Sequence, residues 1–164
     1  IGIYEVITDS SNFKDEKWYI NTNESYAFAD NQVTRSWGTA TPKAHADTLW
    51  TQADSDNGDL PDDKEVGDVK TRGLKYNLIK DLKITVANEL SKTDWYITRN
   101  TEKSTAIPSA ISTHRDAVRT KQAEMETAIT NASDTPALET LYTYTEQEDG
   151  SVTRPLGELP TLEI

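Results

Sequence analysis

GLKYNLIKDLKITVANELSKTDWYITRN, residues 73 to 100, is the stretch whose reading decides the fold. Leu74, Leu78, Leu82, Val86 and Leu90 recur every four residues, flanked by Ile79 and Ala87, while Lys70, Lys75, Lys80 and Lys83 occupy polar positions. That period predicts an amphipathic helix over residues 69–91 with one apolar stripe. The pattern stops at Ser91-Lys92-Thr93-Asp94, and Trp95, Tyr96 and Ile97 follow as a short aromatic segment. No catalytic partner adjoins Trp95 in sequence, so its expected role is a buried packing anchor at the helix end.

Beyond it, a second helix is expected from Pro108 to Asn131, with proline in the first turn. Ile107, Ile111, His114, Val118, Lys121 and Met125 are spaced as a heptad seam, and Ile129 continues the face. Two or three heptads interrupted by His114 and Lys121 fit a helical hairpin with residues 69–91 better than a coiled coil. Asp134-Thr135-Pro136 then caps a short helix carrying Leu138 and Leu141.

Toward the N-terminus, Ile3, Tyr4, Val6 and Ile7 open a β-prone segment, and Trp18 to Ile20, Tyr26 to Phe28 and Val33 to Trp37 read as further strands of a small antiparallel sheet. Thr41-Pro42 reads as an N-cap with a first-turn proline, opening a short helix that carries Ala44 and Leu49 toward the sheet. From Gln52 to Asp68 the chain is polar, acidic and broken by Gly58, Pro61 and Gly67, as in a linker. At the other end, Asp149-Gly150 between β-prone arms predicts a hairpin, after which Pro155, Gly157 and Pro160 keep the tail extended and docked. The expected class is therefore α+β. Its parts are a β-rich segment with a short helix (1–51), an acidic linker (52–68), a helical part (69–141), and a β-hairpin with extended tail (142–164).

The chain has 164 residues, room for one modest core, and its hydrophobic fraction of 35% leaves little apolar side chain with which to build it. A homo-oligomer or a partner-bound protein is expected. The net charge of −11 disfavours a nucleic-acid partner, since affinity for phosphates comes from basic residues. Residues 1–68 carry −9, residues 69–121 carry +6 and residues 122–164 carry −8, a pattern that fits either a basic middle docked on the acidic flanks or presented to a partner, or helix faces that are simply solvated. No run approaches the roughly 18 apolar residues of a membrane span, and a soluble chain is expected.

Chemistry has few candidates. With no cysteine there is no thiolate nucleophile or ligand, and His45 and His114 lack neighbours at metal-ligand spacing, which suits surface or interface histidines. Asp54, Asp56 and Asp59 miss the calcium-loop register, because Gly58 falls at position 5 and Lys64 where a glutamate should close the site. No glycine-rich phosphate loop, Gly-x-Ser-x-Gly turn or His-Glu-x-x-His helix is present, so neither catalytic residues nor a cofactor is expected. Trp18, Trp37 and Trp50 are the residues a glycan-binding module would use, and apolar core suits each better.

Taken as a pattern, Gly2-Ile3-Tyr4-Glu5-Val6, Gly73-Leu74-Lys75, "TDWYITR" at 93–99, "TAIPSAISTHRDAVR" at 105–119 and "EMETAI" at 124–129 resemble the tail-fibre assembly and tail-associated proteins of tailed bacteriophages. That family's shape is an N-terminal strand, a variable β-rich part, two helices joined by an Asp-Trp motif, and a Tyr-Arg-x-x-x-Arg helix, where His114 here replaces the tyrosine. The resemblance implies a non-catalytic virion protein of the fibre or baseplate, made in the bacterial host cytoplasm, or a chaperone that helps fibres fold and is released. Its partners would be other phage tail proteins. It also implies a structural signature of Asp94, Trp95, Arg99, Arg115 and Arg119, with Trp95 pinning the turn between helices and the arginines bridging to carboxylates.

Overall fold

A computed structural model describes residues 3–162, which divide into two compact units, one up to Ala44 and one from His45. The α+β class holds.

In the first unit, β1 (Glu5–Thr8), β2 (Tyr19–Ile20), β3 (Ser25–Ala29), β4 (Gln32–Ser36) and β5 (Thr41–Pro42) form two small sheets. The β3–β4 hairpin is antiparallel as expected and turns on Asp30 and Asn31, both at positive φ, a conformation Asp and Asn tolerate better than bulkier residues. β1 lies parallel against β4, so the three-stranded sheet, ordered β1-β4-β3, is mixed. The predicted helix at Thr41-Pro42 does not form: this pair is β5, antiparallel to β2, and Leu49 belongs to a strand of the second unit. A proline after threonine signals a helix start only when periodic apolar residues follow, and Lys43 to Asp47 offer none. Trp18, 3% exposed, and Tyr19 fill this unit's core.

The second unit begins with β6 (Thr48–Leu49), α1 (Gln52–Asp56) and β7 (Val69–Thr71), the two strands being antiparallel. The supposed linker is thus structured at its start. Thr51 and Asp54 make a reciprocal capping box, a Thr-x-x-Asp signal that the surrounding acidity masked. The long helix α2 (Leu74–Ser91) starts five residues later than predicted, since Val69–Thr71 is strand. Its Leu78, Leu82 and Val86 are buried, with Leu74 and Leu90 half-buried at the ends. The aromatic segment is α3 (Asp94–Lys103), which ends where Ser104 turns left-handed at φ 52°. Then α4 (Ser109–Asn131) runs antiparallel to α2, with Glu89 near His114 and Lys83 near Glu126. Of the predicted seam Ile111, His114, Val118, Met125 and Ile129 are buried, while Ile107 precedes the helix, Lys121 is half-buried, and Arg115 is buried beside them.

α5 (Thr135–Tyr142) is capped by Asp134, whose side chain accepts from the Ala137 amide at 2.8 Å. It buries Leu138 completely. The predicted Asp-Gly hairpin is β8 (Thr145–Glu146) with β9 (Val152–Thr153), shorter than expected because α5 continues through Tyr142. The tail docks in cis: the Leu156 side chain is buried, its amide donates to Leu141 O at 3.0 Å, and Arg154 Nη2 pairs with Glu158 at 2.8 Å.

The entry to α2 is a tight backbone crossing. Asp47 accepts from the Gly73 amide at 2.8 Å and from Arg72 Nη1 at 2.6 Å, and a Cβ on Gly73 would lie 2.3 Å from the Ala46 carbonyl. Gly73→Ala should therefore destabilise the second unit by about 1–3 kcal/mol, as overpacking against immovable backbone does; chemical denaturation measures it. Nearby, Lys70 and the Thr51 hydroxyl and amide hold the Asp54 carboxyl down at about 2. Because the folded value lies below the unfolded one, ionised Asp54 favours the fold above about pH 4, and that contribution is lost as pH falls toward 2. Asp54→Asn should flatten acid denaturation over this window in a pH series of melting curves.

Candidate functional site

Three of the five signature residues meet, or lie close, where α2 ends and α3 begins. Arg115 reaches from α4 with its side chain 9% exposed. Its Nη1 donates to the Leu90 carbonyl at 2.7 Å, to the Thr93 hydroxyl at 2.7 Å and to Asp94 Oδ1 at 2.9 Å. The contacts suit their places: a cation is favoured at the C-terminal end of a helix, where the Leu90 carbonyl also accepts from the Lys92 and Thr93 amides, and a carboxylate suits the first turn of the next helix. Thr93, buried at 1% exposure, also donates its hydroxyl to Leu90 O at 3.0 Å. One guanidinium thus ties together the end of α2, the corner residue, the start of α3 and the middle of α4.

Trp95 is not the pin. It is 51% exposed and stacks on Tyr96 with ring centroids 3.8 Å apart. At the second position of α3 it lies on a helix with no buried residue, and Arg115 and Thr93 hold the corner instead. Among the described residues Arg99 meets no carboxylate in an ion pair; its guanidinium lies over the Trp95 ring at 5.8 Å. Arg119 does reach a carboxylate, Asp116 at 3.4 Å, in an exposed pair one turn apart.

His114 is buried in the seam between α2 and α4, the interface placement of the two expected for it. Its Nε2 lies 3.4 Å from Glu89 Oε1 but off the hydrogen-bond direction, and has no hydrogen-bond partner among the described residues. Lys92 binds Glu89 and, ahead of His114, holds that carboxyl below its usual range. His45 is half-buried and contributes its carbonyl to the Lys75 amide. Asp54 and Asp56 are occupied by Thr51, Lys70 and Gln52, and among the described residues no group of three or more His, Asp or Glu converges to hold a metal.

The first unit exposes apolar side chains on its three-stranded sheet. Register places Val6, Val33 and Phe28 side by side across the sheet, with Tyr4 packed edge-on to Phe28 at 4.7 Å. Tyr4, Val6, Tyr26 and Phe28 are all exposed. Tyr26 and Arg35 both donate to Glu24 Oε1, at 2.7 and 2.6 Å, which lowers the Glu24 carboxyl and raises the Tyr26 hydroxyl. Arg35 also covers half-buried Trp37, as Lys70 covers Trp50 in the second unit, while Trp18 is core. Sequence reasoning named these strands without noting that alternation gathers their aromatics on one face.

The basic middle docks in cis, one of the arrangements the charge blocks fit: Lys70 on Asp54, Arg72 on Asp47 and Lys83 on Glu126. Among the described residues no helix is long and apolar enough to cross a membrane.

Arg115→Ala should cost about 1–3 kcal/mol by leaving the buried Thr93 hydroxyl and Asp94 without the donor they share, whereas Trp95→Ala should stay within about 0.5 kcal/mol. Urea titrations of both variants, followed by circular dichroism, give the comparison. Comparison of the chain with protein-family models, with curated proteins and with solved structures finds no match.

Proposed function

We propose that this chain is a non-catalytic component of a bacteriophage tail, associated with the fibre or baseplate and acting through protein–protein contacts. The observation that carries the reading is the aromatic face of the β1-β4-β3 sheet, where Tyr4, Val6, Tyr26 and Phe28 stand exposed together. Exposed apolar groups gathered on one face are characteristic of protein contact surfaces. The tail assignment itself rests on the sequence resemblance. Contact between Asp94 of the Asp-Trp motif and Arg115 of the Arg-x-x-x-Arg helix is consistent with both motifs serving structure.

A released assembly chaperone is the second reading, favoured by the open outer edges of β1 and β3 in that sheet. Unpaired strand edges accept another chain's strand without prior refolding. Mass spectrometry of purified particles from a phage encoding this chain separates the two. Peptides at a fixed stoichiometry to fibre or baseplate proteins are the expected result. Absence from particles, with co-purification of an unassembled fibre from infected cells, selects the chaperone; absence from both overturns the tail reading.

A further inference from the structure

The two flanks of the helical layer in the second unit carry different things. Beside α2, Tyr76, Ile79, Ile84 and Ala87 line an open groove. Alongside α4 lies the chain's own tail. Gly157 sits against Lys121, and farther on Pro160, Thr161 and Leu162 share one hollow with Ala110, Thr113 and Ala117. The tail therefore runs antiparallel to α4. Its steps from Gly157 to Leu162 span about 17 Å when extended, and the helical steps from Lys121 back to Ala110 rise about 16 Å, so an extended tail matches that length of helix.

Root and end of this tail are held very differently. At the root, Leu156 is buried and its amide donates to Leu141 O, Arg154 Nε donates to Gly157 O at 3.1 Å, and Glu158 accepts from Arg154 at 2.8 Å and from Tyr144 at 2.6 Å. Beyond Glu158, among the described residues, no backbone hydrogen bond joins the tail to α4. Leu159, Pro160 and Leu162 are only half-buried, and Thr113 on the helix side of the hollow stays exposed. Half-buried side chains on unpaired backbone mark a segment that opens locally while the rest stays folded. Between root and end stands Gly157 at φ 72°, a left-handed position that glycine takes up and leaves without strain.

We propose that residues 159–162 are an exchange arm: they pivot at Gly157, leave α4 of their own chain and seat on α4 of a second copy. The seat is the same in every copy, and the tail already lying there shows that it fits this sequence, so exchange replaces each contact with an identical one. Concentration decides between the two states. A tethered arm meets its own seat at an effective concentration on the order of millimolar, so cis docking prevails in dilute solution and exchange gains where copies are crowded or held side by side. Because the root stays in place, the α2–α4 packing is the same in both. The arm needs no phage tail around it, so failure of the tail reading leaves it standing.

The chain has no cysteine, so introduced ones react alone. Full-length Thr113→Cys and Thr161→Cys, both at exposed positions, are mixed and treated with a short bismaleimide. A one-to-one cross-linked pair is expected, its yield rising as the protein approaches millimolar concentration. That yield should stand severalfold above the yield from Thr161→Cys mixed with Asn57→Cys, which lies at the end of α1. An excess of free peptide with the sequence of residues 156–162 should lower it by competing for the seat, with helical content unchanged by circular dichroism. A yield no higher than that of the Asn57→Cys pair at every concentration overturns the proposal, and so does a cross-link that the peptide leaves unaltered.

Discussion

Everything in the second unit hangs on the antiparallel packing of α2 against α4. Leu78, Leu82 and Val86 on one helix and Ile111, Val118, Met125 and Ile129 on the other are buried, and Val118 and Ile129 are inaccessible to solvent. At about 1.5–3 kcal/mol for each fully buried aliphatic side chain, this seam is the principal source of stability in a chain with few apolar residues. A seam of non-directional contacts, however, permits sliding by a turn. Arg115 removes that freedom, because its three hydrogen bonds to Leu90, Thr93 and Asp94 are satisfied at one register alone.

The cost of placing a guanidinium there is met by the groups around it. A charge buried without partners is expensive, whereas Arg115 finds a helix-terminal carbonyl, a hydroxyl and a carboxylate in one place. Asp94 remains accessible, which keeps the pair partly hydrated and lowers the desolvation penalty of bringing them together. His114, one residue earlier, has no such company: its buried Nε2 faces Glu89 without a hydrogen bond. The two neighbours show how one residue's shift around a helix changes a polar side chain from a clamp into an unsatisfied group.

How much of this was legible in the sequence follows from which residues act locally. The four-residue leucine period, the Ile111 to Ile129 seam, the Asp134 cap and the Asp149-Gly150 turn are each decided within a few residues, and each appears where expected. Thr41-Pro42 shows the limit, since the same dipeptide fits a helix start or a strand, and pairing with Tyr19 and Ile20 decides it from twenty residues away. Trp95 shows another. A tryptophan after a helix suggests an anchor by its size, but only the direction of α3 settles which way it points, and that is set by Arg115 and Thr93. Parallel placement of β1 beside β4 was equally hidden, because hydrophobic alternation carries no sign of strand direction.

The order in which α2, α4, α5 and the tail appear along the chain has a kinetic side. Contacts between α2 and α4 join residues as far apart as Lys75 and Thr130, 55 positions along the chain, so the layer closes only once α4 is made. Synthesis from the N-terminus completes that layer before Leu138 and Leu156 have emerged to cover it. For that interval both flanks are bare, and in one of them, the flank lined by Tyr76 and Ile84, nothing later in the described chain closes over it. A nascent chain would therefore expose this surface from the moment α2 is made, and it stays exposed after the last steps of folding have covered the other flank.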